Sequence, residues 1–143
     1  MLWKLRQAQS EDLPFIFSSW LKSYRNNPTV AGVPNTTYYS RFHGLLSNLL
    51  SKPTTLVIIA CDPNDDKTIY GYIVAELDQA AMILHWVYTK HSFRNFGMAK
   101  AMLAEIQTVD VKETRYSTKS RHSGGDMVYD PFTLWRHINE HAK

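Results

Sequence analysis

His91-Ser92-Phe93-Arg94-Asn95-Phe96-Gly97-Met98-Ala99-Lys100 stands between a β-rich run ending near Thr89 and an amphipathic helix expected over residues 97–109. That helix carries Ala99, Met102, Leu103 and Ile106 on one face. A glycine followed closely by a small residue lets the backbone turn sharply and present consecutive N–H groups at a helix N-terminus. Those groups, with the helix dipole, attract phosphate. Lys90, Arg94 and Lys100 add positive charge beside them. No Gly-Lys-Ser/Thr follows, so this is not a Walker loop, and the three-glycine dinucleotide fingerprint is absent too.

Upstream of this stretch, residues 2–8 alternate apolar and polar, a short first strand. Ser10-Glu11-Asp12 supplies an N-cap and acids for a helix bearing Leu13, Ile16, Phe17, Trp20, Leu21 and Tyr24 at three- and four-residue spacing. Breakers fill residues 25–35, and a second helix is expected over 37–51 with Phe42, Leu45, Leu46, Leu49 and Leu50 inward, stopped by Pro53. Residues 54–61, 68–77 and 80–89 read as three strands joined by tight connections. Downstream, residues 112–120 read as a further strand. Gly124-Gly125 breaks the chain, and residues 126–135 read as extended, held to an edge by Pro131. The order is β-α-α-β-β-β-α-β plus a tail: a mixed α/β fold with a mostly antiparallel sheet.

Composition agrees with one domain. The 143 residues are 44% hydrophobic and 13% aromatic, enough to bury a core and too apolar for disorder. The net charge is +3, and it is unevenly spread: residues 1–60 hold six Lys/Arg against two acids, and 90–122 hold seven against three. Residues 61–89 hold one Lys against five acids. Basic flanks suit an anionic cofactor or a phosphate backbone, although nucleic-acid modules are usually more basic. Cys61 is the only cysteine, which excludes an intrachain disulfide and a Cys-based zinc site, and at the end of an apolar run it reads as a buried, inert thiol. Lys4 and Arg6 stand where a signal peptide needs its apolar stretch, and no apolar run approaches the ~20 residues of a membrane span. A cytoplasmic protein is the expectation.

Arg94-Asn95-Phe96-Gly97-Met98-Ala99 resembles the signature of the GNAT acetyltransferase superfamily: Arg or Gln, two residues, Gly, one residue, then Gly or Ala. The element order also resembles that family's, and the resemblance covers residues 1–121, leaving 122–143 as a divergent tail of the same domain. It implies a GNAT-like acyl-CoA N-acyltransferase fold with acetyl-CoA as cofactor. The pantetheine arm would pair with the backbone of Val87, Tyr88 and Thr89, and the pyrophosphate would lie on the N–H groups of Asn95, Phe96, Gly97, Met98, Ala99 and Lys100, with Arg94 beside it. The run from Ser19 to Arg25 also looks like small phage-encoded members, which would place the protein in a host cytoplasm.

Acetyl transfer in this family is usually direct attack of an amine on the thioester. Such chemistry calls for a base, a carbonyl-polarising donor and an acid for the leaving thiolate. His85, nine residues ahead of Arg94, matches a catalytic histidine of arylalkylamine-type members; period two puts it on one face with Ile83 and Val87. The competing reading is a hydrogen-bonded histidine within a sheet. Glu76 is an alternative base, set against a solvated strand-end carboxylate. The family's thiolate acid is often a tyrosine on a helix after the fifth strand. Ser123-Gly124-Gly125 replaces the start of that helix, leaving Tyr129 nearest by position, with Tyr116 no better supported.

Trp20, Tyr24, Tyr38, Tyr39 and Phe42 fall where the family builds its acceptor wall, or else in the core. His137-Ile138-Asn139-Glu140-His141 spells a formal H-x-x-E-H motif, read as coincidence because only Ala142 and Lys143 follow; no metal is assigned. The leading expectation is acetyl transfer to a primary amine of a small molecule or protein. The alternative is a non-catalytic GNAT-like fold that binds protein or nucleic acid, motivated by the missing acid helix and by Lys112, Arg115, Lys119 and Arg121. Members often dimerise through their C-terminal strands, and the resemblance implies a homodimer as an option here.

Overall fold

The computed structural model of the chain describes residues 2–94, 96–119 and 127–138. The described elements are β1 (Lys4–Gln7), α1 (Leu13–Tyr24), α2 (Asn35–Leu50), β2 (Thr55–Asp62), β3 (Asp65–Asp78), β4 (Ala81–Thr89), α3 (Met98–Ile106), β5 (Glu113–Tyr116), β6 (Val128–Tyr129) and α4 (Phe132–Trp135). The strands form one six-stranded sheet in the order β1-β2-β3-β4-β5-β6. The first four are antiparallel to their neighbours, whereas β5 runs parallel to β4 and β6 parallel to β5. The mixed sheet is the expected one.

Helices cover both faces. Ile16 and Trp20 of α1 and Phe42, Leu45, Leu46 and Leu49 of α2 pack with Tyr72 and Val74 of β3. On the other face, Met98, Met102 and Ile106 of α3 pack with Ile73, Ala75, Met82 and Leu84. Strand period two thus divides β3 cleanly between two cores. Leu134 of α4 is fully buried in the α1/α2 core, with Trp135 and Ile138 packed against it.

Several boundaries differ from the sequence reading. Ser10–Asp12 is a 3-10 turn and α1 begins only at Leu13, with Pro14 in its first turn. Asp12 caps this turn rather than α1: its carboxylate accepts the Gln9 backbone N–H at 2.7 Å and also takes the Arg6 guanidinium at 2.7 and 2.8 Å. β3 reaches back to Asp65, so its hairpin with β2 is tighter than the acidic run implied. Strand β5 is shorter than residues 112–120. Of the stretch expected over 126–135, residue 126 lies outside the described residues, and within 127–135 only Val128–Tyr129 is a strand; Pro131 opens α4, its fixed φ suiting a helix start better than a strand.

Gly71 sets how closely α3 approaches the sheet. A Cβ there would lie 2.6 Å from the Tyr88 carbonyl oxygen and 3.1 Å from the Met98 sulfur. The backbone oxygen cannot step aside without breaking the β3–β4 pairing. Gly71→Ala is therefore expected to cost about 1–3 kcal/mol, read as a lower urea midpoint; an unchanged midpoint would mean the strands yield more easily than this packing implies.

Candidate active site

β4 contains one more residue than its partner can pair. Val74 pairs with Trp86 and Ala75 with Leu84, so His85 is the extra residue of a β-bulge. The bulge reverses the alternation beyond it. Met82, Leu84 and Val87 pack against α3, whereas Trp86 and Tyr88 pack toward α1 and α2. The expectation that His85 shares a face with Val87 is thereby corrected.

His85 is 1% exposed and lies inside a polar cluster. Its Nε2 is 2.9 Å from Glu76 Oε1, and its Nδ1 is 2.6 Å from Ser117 Oγ. The same Glu76 oxygen takes His137 Nε2 at 2.9 Å, and Glu76 Oε2 takes Arg136 Nη2 at 2.8 Å. Arg136 also reaches Asp78 at 3.0 Å. Glu76, expected as a solvated strand-end group, is instead 2% exposed within β3. Burial works to raise its carboxyl, but the hydrogen bonds from His137 and His85 outweigh it and hold the group well below the usual carboxylate range. Burial pushes the His85 imidazole down, against the pull of Glu76.

These facts assign the protons. An ionised Glu76 only accepts, so both imidazoles present Nε2–H to it. His85 Nδ1 then carries a lone pair, and Ser117 donates its hydroxyl proton to it. Glu76, His85 and His137 place donor atoms within 4.8 Å of one another, a set that could hold a metal ion. Here, however, each Nε2 already meets the carboxylate, and a cation would face the Arg136 guanidinium, so the geometry is that of a hydrogen-bond network.

Ser117 stands where β4 and β5 part. Their paired register ends at Leu84 with Tyr116, and Ser117 N–H donates to the Leu84 carbonyl at 3.0 Å. Beyond that vertex, Trp86, Val87, Tyr88 and Thr89 pair with β3 alone among the described residues. At the far end of this half-paired edge lies the glycine loop. Arg94 is exposed, with Nε 3.3 Å from the Thr89 carbonyl. Gly97 is the N-cap of α3 at φ 79°, and among the described residues no side chain caps the helix and nothing lies within 4 Å of where a Cβ would be. The first-turn amides of Met98, Ala99 and Lys100 take no hydrogen bond among those between the described residues, which leaves a helix start suited to phosphate. Phe96 is exposed, Ala99 and Lys100 open the helix, but Met98 is buried against β3. Asn95 lies outside the described residues.

No protein-family model matches the sequence, and no curated protein matches it significantly. Solved structures do. A candidate acetyl transferase from Pyrococcus furiosus superposes with a TM-score of 0.68 over 99% of this chain and 92% of its own, at 14% identity. An acetyltransferase of the GNAT family from Staphylococcus aureus gives 0.51 over 74% and 64%, at 15% identity. The PaiA N-acetyltransferase of Thermoplasma acidophilum, in complex with coenzyme A, gives 0.58 over 95% and 87%, at 18% identity. The chain has the GNAT acetyltransferase fold.

Within this GNAT fold the other anticipated residues scatter. Tyr129 is 42% exposed on β6, its ring 5.1 Å from that of Tyr116 and 4.9 Å from the Lys119 ammonium. No hydrogen bond among the described residues joins it to His85 or Glu76. Trp20, Tyr24, Tyr38 and Phe42 are core: Trp20 stacks on Trp86 at 5.5 Å, and Phe42 stacks between Tyr24 at 5.0 Å and Tyr38 at 5.5 Å. Only Tyr39 of that group is exposed. The basic run is partly neutralised, since Arg115 bonds Glu113 at 2.8 Å and Asp130 at 3.3 Å, and Arg121 lies outside the described residues. Among the described residues no helix is long and apolar enough to cross a membrane.

Sequence reasoning missed Ser117, Arg136 and His137. His137 had been singled out for its spacing to Glu140 and His141, which are outside the described residues, but its partner is Glu76, 61 positions away. No local pattern signals such a pairing.

Proposed function

We propose that the chain is an acetyl-CoA-dependent N-acyltransferase that moves an acetyl group to a primary amine by direct attack. The observation carrying this reading is the continuous path from the β4–β5 vertex, along the edge of Val87, Tyr88 and Thr89 that pairs with β3 alone among the described residues, to the left-handed start of α3 at Gly97. Backbone groups along the edge would pair with the amides of a pantetheine arm. The amides of Met98, Ala99 and Lys100 would receive the pyrophosphate, and exposed Arg94 would add charge. Bound in this way, acetyl-CoA would supply the thioester at the vertex end of that edge. There His85 and Glu76 supply a buried, charge-stabilised site for a proton.

Release of free thiol from acetyl-CoA, followed with n-butylamine, tryptamine and a lysine-containing peptide, tests the activity. His85→Ala is expected to slow turnover by about 10²–10⁴-fold, the usual worth of a positioned acid–base group, while acetyl-CoA affinity stays nearly unchanged. Equal turnover in the variant would remove His85 from the mechanism.

A further inference from the structure

His85 has no exposed surface through which to meet an amine, and both of its ring nitrogens are engaged. A base so placed acts only through a neighbour. Ser117, itself 4% exposed but at the open end of the β4–β5 pairing, is that neighbour: its hydroxyl holds the one His85 nitrogen that carries a lone pair, and its backbone makes the last bond of the vertex. Thr118, the next residue, is 8% exposed, and its buried hydroxyl meets no partner among the described residues. Buried polar atoms are nearly always paired, so an unmatched one at a vertex is what a bound polar group would satisfy.

We propose that Ser117 is the catalytic residue through which His85 exchanges protons with the reacting atoms, so that one Ser117–His85–Glu76 relay acts first as base and then as acid. This rests on the acyl-transfer reading above. The neutral amine forms the C–N bond, and its nitrogen gives a proton to Ser117 Oγ as the Ser117 proton passes to His85 Nδ1. Glu76, fixed by His137 and Arg136, stabilises the imidazolium, with Asp78 balancing Arg136. As the C–S bond breaks, the imidazolium returns its proton through Ser117 to the departing sulfur. One proton has crossed from nitrogen to sulfur, and no separate acid is required. This removes the need for the tyrosine that the tail does not bring to His85.

The test uses Ser117→Ala, Ser117→Thr and Tyr129→Phe in the full chain. Acetyl-CoA affinity is measured first by calorimetry. Thiol release is then followed with the fastest amine of the panel, or with water as acceptor. Ser117→Ala is expected to keep its affinity and lose about 10²–10⁴-fold in kcat/KM, while Ser117→Thr, which keeps a hydroxyl, recovers most of it. Tyr129→Phe should turn over normally. The acidic limb of the kcat/KM profile should disappear in Ser117→Ala. Independently of turnover, the His85 ring nitrogen resonances should report loss of the Nδ1 hydrogen bond. Unchanged turnover in Ser117→Ala overturns the relay alone, as does an acetyl group found on wild-type protein by intact mass and absent from that variant, because Ser117 would then be a nucleophile. Failure of the wild type to bind acetyl-CoA overturns the acyl-transfer reading as well.

Discussion

Acetyl-CoA at a hundred times its dissociation constant is expected to stabilise the folded chain by about 2.7 kcal/mol, and Gly97→Glu to abolish that gain entirely. For a chain of 143 residues this means a rise of several degrees in melting temperature. The substitution acts twice. Gly97 sits at φ 79°, a conformation that costs an L-residue about 1–2 kcal/mol, so the variant is less stable before any ligand is added. It also sets a carboxylate where the helix amides would receive a phosphate. Gly97→Ala separates the two effects: it carries the strain without the charge, and its Cβ meets nothing within 4 Å. It should melt lower than wild type and still respond to acetyl-CoA. A full response in Gly97→Glu would move the pyrophosphate elsewhere, and a flat wild type would leave a GNAT fold without its cofactor.

What the sequence disclosed about this site follows from how local each signal is. The glycine loop was legible because a left-handed N-cap is a demand on one residue, and Gly97 meets it. The hairpins were legible because Asp62-Pro63-Asn64 and Asp78-Gln79 are turn chemistry between apolar runs. The bulge at His85 was not, since β4 is apolar on both faces and a reversal of alternation leaves no trace in such a strand. Glu76 looked like an exposed end-of-strand acid because its partners come from far away: His85 across the hairpin, and Arg136 and His137 from a helical turn that Gly124-Gly125 and Pro131 disguised. Ser117 sits in a polar run that no periodicity distinguishes. Topology alone makes it special.

Glu76→Ala is expected to destabilise the chain by about 3–5 kcal/mol, because it strips the shared acceptor from two buried imidazoles and a guanidinium. Domains of this kind hold only about 5–15 kcal/mol in total, so urea denaturation should show the loss plainly. The charge also dictates a pH dependence. His85 and Glu76 both titrate below their unfolded values in the folded chain. The unfolded state therefore binds more protons than the native one on the acid side, and stability falls as pH falls. The decline should begin as pH drops below about 6.5, where an unfolded histidine takes its proton, and continue through about 4.3, where an unfolded glutamate takes its own. Glu76→Gln should flatten the lower part of that curve, and an unchanged curve would mean that Glu76 is not the charge held there. The same variant divides scaffold from chemistry. If the carboxylate only pins α4, a folded Glu76→Gln protein keeps the wild-type kcat/KM profile. If it stabilises a protonated His85, the acidic limb moves to lower pH, because an imidazolium without its counter-charge is harder to form.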